Sequence, residues 1–121
     1  MMEAVIRGDI ERAERELSAD ADVNASDGEG WTALHFAAQR NEEALTALLL
    51  AHGASISALD AYGNNALFRA VFTFRGEADA IRVLLNAGAD PDHTNQHGVS
   101  ARTLANSIAN YDARKFFVSH T

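Results

Sequence analysis

The chain has no cysteine and a single proline, and basic residues are scarce. Without cysteine there is no disulfide framework, no thiolate metal site and no cysteine nucleophile. That absence agrees with a reducing compartment, and a cytoplasmic location is expected. Ten Lys and Arg stand against seventeen Asp and Glu, for a formal net charge of −7. Neutralising phosphates takes Lys and Arg, so the balance argues against nucleic-acid binding. It argues equally against anionic membrane surfaces. The first nine residues lack the long apolar stretch of a signal peptide, and no apolar run is long enough to span a bilayer. With 47% hydrophobic residues the chain is no disordered linker. Its 121 residues are enough for one domain that buries a core without covalent staples.

The acid is uneven. Net charge is −4 over residues 1–26, −3 over 27–59, −2 over 60–94 and +2 over 95–121. An acidic N-terminal two-thirds serves solubility; it also suits steering toward a basic partner.

The chain repeats itself. Asp27-Gly-Glu-Gly-Trp-Thr-Ala-Leu-His-Phe-Ala37 matches Asp60-Ala-Tyr-Gly-Asn-Asn-Ala-Leu-Phe-Arg-Ala70 at an offset of 33. A third version, Asn95-Gln-His-Gly-Val-Ser-Ala-Arg-Thr-Leu-Ala105, follows at an offset of 35, so two residues have been inserted. The end of the unit recurs too, as Ala21-Asp-Val-Asn-Ala25, Gly53-Ala-Ser-Ile-Ser-Ala58 and Gly88-Ala-Asp-Pro-Asp-His93. Residue chemistry gives each unit a shape. Thr32 precedes the apolar stretch Leu34, Phe36, Ala37 and Ala38, so a short helix starts near position 32. Asn41 can turn the chain. Leu45, Leu48 and Leu49 give a second helix a buried stripe, which Gly53 ends as a left-handed cap. One such helix pair cannot bury its apolar face alone, so units stack.

Period and motif together resemble the ankyrin repeat, with Thr32-Ala33-Leu34-His35-Phe36-Ala37 close to that family's Thr-Pro-Leu-His-x-Ala pattern. The resemblance covers essentially the whole chain. It implies an all-α fold, an ankyrin-repeat solenoid of about four stacked helix-turn-helix units with hairpin-like loops. Residues 1–26 form a truncated N-terminal cap repeat, 27–59 a full repeat, 60–94 a repeat with the two-residue insertion, and 95–121 a C-terminal cap repeat. The first unit begins inside its first helix, and Arg15 and Glu16 stand where the next has Leu48 and Leu49. That reads as a polar cap or as a unit cut short by the start of the chain. Asp20 replaces the usual glycine, which weakens that helix end. Arg102 takes the place of Leu34 and Leu67; it is expected at an exposed end, with a buried partner as the alternative. Phe116 and Phe117 take the places of Leu48 and Leu49 and are expected to seal the core.

No catalytic constellation emerges. The resemblance implies that Thr32 and His35 hydrogen-bond at a helix start and tie neighbouring repeats. Asn65 and Phe68, then Ser100 and Thr103, stand at those places later, so the tie should weaken there. His93 and His97 are four apart, but they fall in a loop rather than on one helix face. The sequence contains neither a phosphate-binding glycine loop nor a nucleophile turn. No enzyme activity, metal or cofactor is expected. Asp90 is read as holding the turn beside Pro91.

The resemblance implies binding of another protein through loop tips and the first-helix surface. Those positions are Ser26, Gly28, Glu29, Trp31, Gln39 and Arg40, then Leu59, Ala61, Tyr62, Asn64, Phe72 and Thr73, then Thr94, Gln96, His97 and Val99. Within them Glu29, Trp31, Gln39, Arg40, Tyr62, Asn64, Phe72, Gln96 and His97 are the candidate contacts. The insertion Val71-Phe-Thr-Phe-Arg-Gly76 adds Phe74 and Arg75. Trp31, Tyr62 and Phe72 either anchor a partner or are partly buried against the next repeat. Of the two insertion phenylalanines, Phe72 is expected to fold inward and Phe74 to face out. The terminal segment through Ile108 to Asp112 and Phe117, and Asn65 to Phe68 with the insertion, look like small bacterial ankyrin proteins. Some of these resemble immunity proteins encoded beside secreted toxins. An acidic, monomeric inhibitor that occludes a basic toxin or enzyme is therefore expected, with an adaptor in a larger assembly, or a sensor of a small ligand or metal, as the alternatives.

Overall fold

The computed structural model describes residues 1–74 and 77–107. Among these residues there are seven α-helices: α1 (Met2–Ile6), α2 (Ile10–Ser18), α3 (Ala33–Gln39), α4 (Glu43–Ala51), α5 (Ala66–Phe72), α6 (Asp79–Asn86) and α7 (Ala101–Ser107). The longest have nine residues. Helices that short are marginal in water by themselves, so packing must hold them. Two rows do this. An inner row runs α1 on α3, α3 on α5 and α5 on α7, and an outer row runs α2 on α4 and α4 on α6. α1, α3 and α5 each pack also on the outer helix that follows, α2, α4 and α6. Leu34 and Leu67 from the inner row meet Leu45, Leu49, Ile81 and Leu84 from the outer row, and all six are essentially inaccessible. Burying each contributes about 1.5–3 kcal/mol. The expected all-α solenoid of helix pairs is the observed architecture. Phe116 and Phe117, expected to seal its end, lie outside the described residues.

Local chemistry sets the helix ends. Thr32 and Asn65 each accept a hydrogen bond from the backbone N–H three residues on, which starts α3 and α5. At the other end of α4, Gly53 sits at φ +90°. There Gly53 N–H reaches the Leu50 carbonyl and Ala54 N–H the Leu49 carbonyl, the paired bonds of a Schellman motif. The end of α2 has the same pattern, with Asp20 at φ +68° in the glycine's place and Ala21 N–H on the Glu16 carbonyl. The motif therefore survives the missing glycine, at the steric cost of a left-handed non-glycine residue.

Asn41 turns the chain between α3 and α4 at φ +55°, as its residue type suggests. Its side chain does more: the amide oxygen accepts Ala80 N–H at 3.0 Å. Ala78, at the N-cap of α6, supplies no side-chain cap of its own, so a residue of the preceding turn caps that helix.

The insertion widens the turn of the third pair: residues 73–78 link α5 to α6, where residues 40–42 link α3 to α4. It also reverses the expected orientation of two rings. Phe74 is 4% exposed and Phe72 is 55% exposed. Phe72 is the counterpart of Gln39 one repeat on, at the solvent side of an inner helix, whereas Phe74 follows the helix end and turns into the core. Arg102 is half-buried rather than exposed, with Nε 2.7 Å from an Asp92 carboxylate oxygen.

Replacing Asp20 with glycine should stabilise the protein by about 1 kcal/mol, by relieving the left-handed strain. Urea unfolding checks this; an unchanged or lower midpoint would mean that Asp20 is not strained.

Candidate partner-binding face

The loop tips are built by one device used three times. Asp27 Oδ1 accepts Glu29 N–H and Trp31 N–H, both at 2.9 Å. Asp60 Oδ1 accepts Tyr62 N–H at 2.9 Å and Asn64 N–H at 3.0 Å. Asn95 Oδ1 accepts His97 N–H at 2.9 Å and Val99 N–H at 3.0 Å. These side chains replace the backbone partners that a loop lacks. Successive tips are then tied together. Ala61 N–H donates to the Glu29 carbonyl at 2.8 Å, and Gln96 N–H to the Tyr62 carbonyl at 3.0 Å. Gly30 lies so close to the next tip that a Cβ there would sit 2.9 Å from the Ala61 nitrogen.

His35 joins the helix start to the next loop. Thr32 N–H donates to His35 Nδ1 at 3.1 Å, and His35 Nε2 is 2.9 Å from the Asn64 carbonyl oxygen. An amide can only donate and a carbonyl can only accept, so the ring is neutral, with its proton on Nε2. Burial pushes the His35 imidazole below its ordinary value, against the opposing pull of the Asn64 carbonyl. The tie expected from Thr32 and His35 is present. At the next junction it is replaced rather than weakened. Asn95 Nδ2 donates to Asn64 Oδ1 at 2.9 Å, and Gln96 Nε2 to the Ala61 carbonyl at 2.8 Å.

Asp60 also holds Arg69. The Arg69 guanidinium reaches Asp60 Oδ2 at 2.8 Å from Nη2, and its carbon lies 4.4 Å from the centre of the Trp31 ring. Burial by itself raises the Asp60 carboxyl, but Arg69, the Asn64 and Tyr62 amides and the Asn64 side chain together hold it below the usual carboxylate value. Trp31 packs in turn on Phe36, with ring centroids 4.8 Å apart. A chain of contacts thus runs from a loop carboxylate, through a cation on α5, to an aromatic ring of the preceding loop.

This geometry sorts the candidate contacts. Asn64 is a correction: it is buried, its side chain bonded to Asp60 and Asn95, and it is unavailable to a partner. Phe74 is buried too. Trp31 is partly buried between loops, the structural one of the two roles open to it. Glu29, Gln39, Arg40, Tyr62, Phe72, Gln96 and His97 are exposed. Tyr62 at a tip and Phe72 on α5 are the prominent rings, 51% and 55% exposed. Phe72 stacks on Phe68 with centroids 6.4 Å apart, which fixes its orientation. Arg75 lies outside the described residues. His93 Nε2 donates to the Gly63 carbonyl at 3.0 Å, which ties this loop to the preceding tip. Asp90 Oδ1 accepts Asp92 N–H at 2.9 Å and holds its turn as expected.

A family model for ankyrin repeats (3 copies) matches residues 1–95. The chain belongs to the ankyrin-repeat family. Among curated proteins it is 35% identical over 102 residues to an intracellular phospholipase A2 of Caenorhabditis elegans, covering 80% of this chain and 9% of that protein. It is 36% identical over 98 residues to a BCL-6 corepressor-like protein 1 of Homo sapiens, covering 81% of this chain and 5% of that protein. The chain therefore spans less than a tenth of the length of either relative. Ankyrin repeats are in general non-catalytic modules that bind other proteins.

Two tests follow from these contacts. Arg69→Ala leaves the Asp60 carboxylate buried without its cation and should destabilise the domain by about 3 kcal/mol. Tyr62→Ala, at an exposed tip, should stay within about 0.5 kcal/mol of the parent. Chemical unfolding of both variants measures the contrast. The pH profile provides a second test. The ordinary value of a histidine is 6.5, and the folded state resists protonating His35. Below about pH 6.5 the unfolded chain therefore binds the extra proton, and stability falls with pH. A further loss should begin as pH falls below the ordinary aspartate value of 3.8, where the unfolded chain takes up a proton that folded Asp60 refuses. In His35→Gln the first loss should be reduced; an identical slope between pH 7 and 5, ~2 pH units, would remove His35 from the account.

Proposed function

We propose that this ankyrin domain is a non-catalytic binding module that acts by occlusion, as a cytoplasmic inhibitor covering the working surface of a basic protein. The observation that carries this is the pair of ordered, exposed rings, Tyr62 and Phe72, on one tip and the inner helix that follows it. Aromatic anchors of this kind dominate binding energy when a partner buries them. The net charge of −7 supports a basic partner, because opposite charge raises the encounter rate. A toxin or enzyme with a cationic active-site rim fits this reading, in the manner of an immunity protein. A second reading, an adaptor within a longer polypeptide or assembly, is favoured by the relatives, in which the matching segment is a small part of a much longer chain.

Affinity capture followed by mass spectrometry supplies the partner for a direct test. Tyr62→Ala and Phe72→Ala should each weaken its binding by about 2 kcal/mol, roughly thirtyfold, with melting temperature nearly unchanged. The association rate should fall as salt rises. Unchanged affinity in both variants would move the interface elsewhere, and a salt-independent rate would remove steering. If the captured protein keeps full activity in the complex, the adaptor reading replaces the inhibitor.

A further inference from the structure

One junction between loops carries a side-chain bridge that the next junction lacks. Asn24, on the segment between α2 and the first tip, crosses to the segment that follows α4. Its Nδ2 donates to the Gly53 carbonyl at 3.2 Å, and its Oδ1 accepts Ser55 N–H at 2.7 Å. One repeat later Ser57 stands in the place of Asn24, and Gly88 and Asp90 stand in the places of Gly53 and Ser55. A serine has no amide and is too short to repeat the crossing. Among the described residues, the Gly88 carbonyl and Asp90 N–H have no hydrogen-bond partner.

The two segments leave a notch of about 290 Å³ between them, lined by Ile56, Ser57, Leu59, Asn65, Asp90 and His93. Half-buried Ile56 and Leu59, 44% exposed, give it apolar walls. Asn65 is engaged by the Asp90 carbonyl and His93 by the Gly63 carbonyl. Asp90 Oδ1 accepts Asp92 N–H. A ligand therefore meets one backbone donor, one backbone acceptor and the second carboxylate oxygen of Asp90. These groups discriminate between side chains. An ammonium or guanidinium carries donors only and leaves the Asp90 amide unmet. A carboxylate carries acceptors only and is repelled by Asp90. A carboxamide supplies one acceptor and two donors, as Asn24 does at the preceding junction.

We infer that this notch binds the side chain of an asparagine or glutamine on a partner protein. The carboxamide takes the two hydrogen bonds that Asn24 makes within the chain, and its methylenes cover Leu59. Neither Tyr62 nor Phe72 lines the notch, so it serves as a contact independent of those rings.

The test is selection of a random-peptide display library on the whole chain and, in parallel, on its Ser57→Asn variant, which supplies the bridge from within. Peptides enriched on the parent and lost from the variant should carry Asn or Gln. Used as synthetic probes, they should shift the Asp90 amide resonance. Replacing that residue of the peptide by Leu or Glu should cost about tenfold in affinity, the worth of two modest hydrogen bonds. Leu59→Ser, which installs the residue that the preceding unit has at Ser26, should weaken binding about threefold, and it replaces Ser57→Asn in the selection should that variant perturb the fold. Variant-sensitive peptides with Arg or Lys at the critical place would overturn the carboxamide assignment. A library that yields no peptide separating parent from variant would overturn the site itself.

Discussion

A single buried carboxylate holds together what would otherwise be separate pieces. Asp60 uses one oxygen to order its own loop, through the Tyr62 and Asn64 amides, and the other to hold Arg69. Arg69 in turn covers Trp31 of the preceding loop. Asn64, ordered by the same carboxylate, presents the carbonyl that His35 reaches. One side chain therefore couples two successive loops and the inner helices beneath them. A buried charge is costly unless paired and hydrogen-bonded, and at Asp60 both conditions are met.

Around that point the structure is a line of near neighbours. Each helix is too short to persist alone, and each pair is stabilised by the pair before and after it. The side chains that make these joints differ along the chain. His35 serves one junction, and Asn95 with Gln96 serves the next. The repeated requirement is a donor that reaches the carbonyl or amide of the neighbouring tip, and several residue types can meet it.

This construction separates holding from binding. Trp31, Asn64 and Phe74 face inward or between loops because tip ordering and core closure recruit them. Tyr62 and Phe72 remain largely exposed, Phe72 with one neighbour ring, Phe68. The described aromatic residues thus divide into a more enclosed set and an exposed pair.

Much of this was legible in the sequence. The regular repeat offset, the Thr32 and His35 pair, the leucine stripe and the glycines at turns determined an all-α stack of helix pairs, because local periodicity and capping depend on residues close together in the chain. The exposure of Phe72 could also have been read, since its place one repeat after Gln39 puts it on the solvent side of a helix. Partner choice between distant side chains was not legible. Arg69 stands where the preceding unit has Phe36, and nothing local shows that it would bridge Asp60 and Trp31. Asn64 has the composition of a surface residue, yet the next loop buries it. Phe74 follows the end of α5 and is buried in the core, which local sequence does not show. The sequence by itself determined the period, the helices and their ends. The tertiary structure alone decided which polar and aromatic groups are enclosed between neighbours, because enclosure depends on how closely one loop approaches the next.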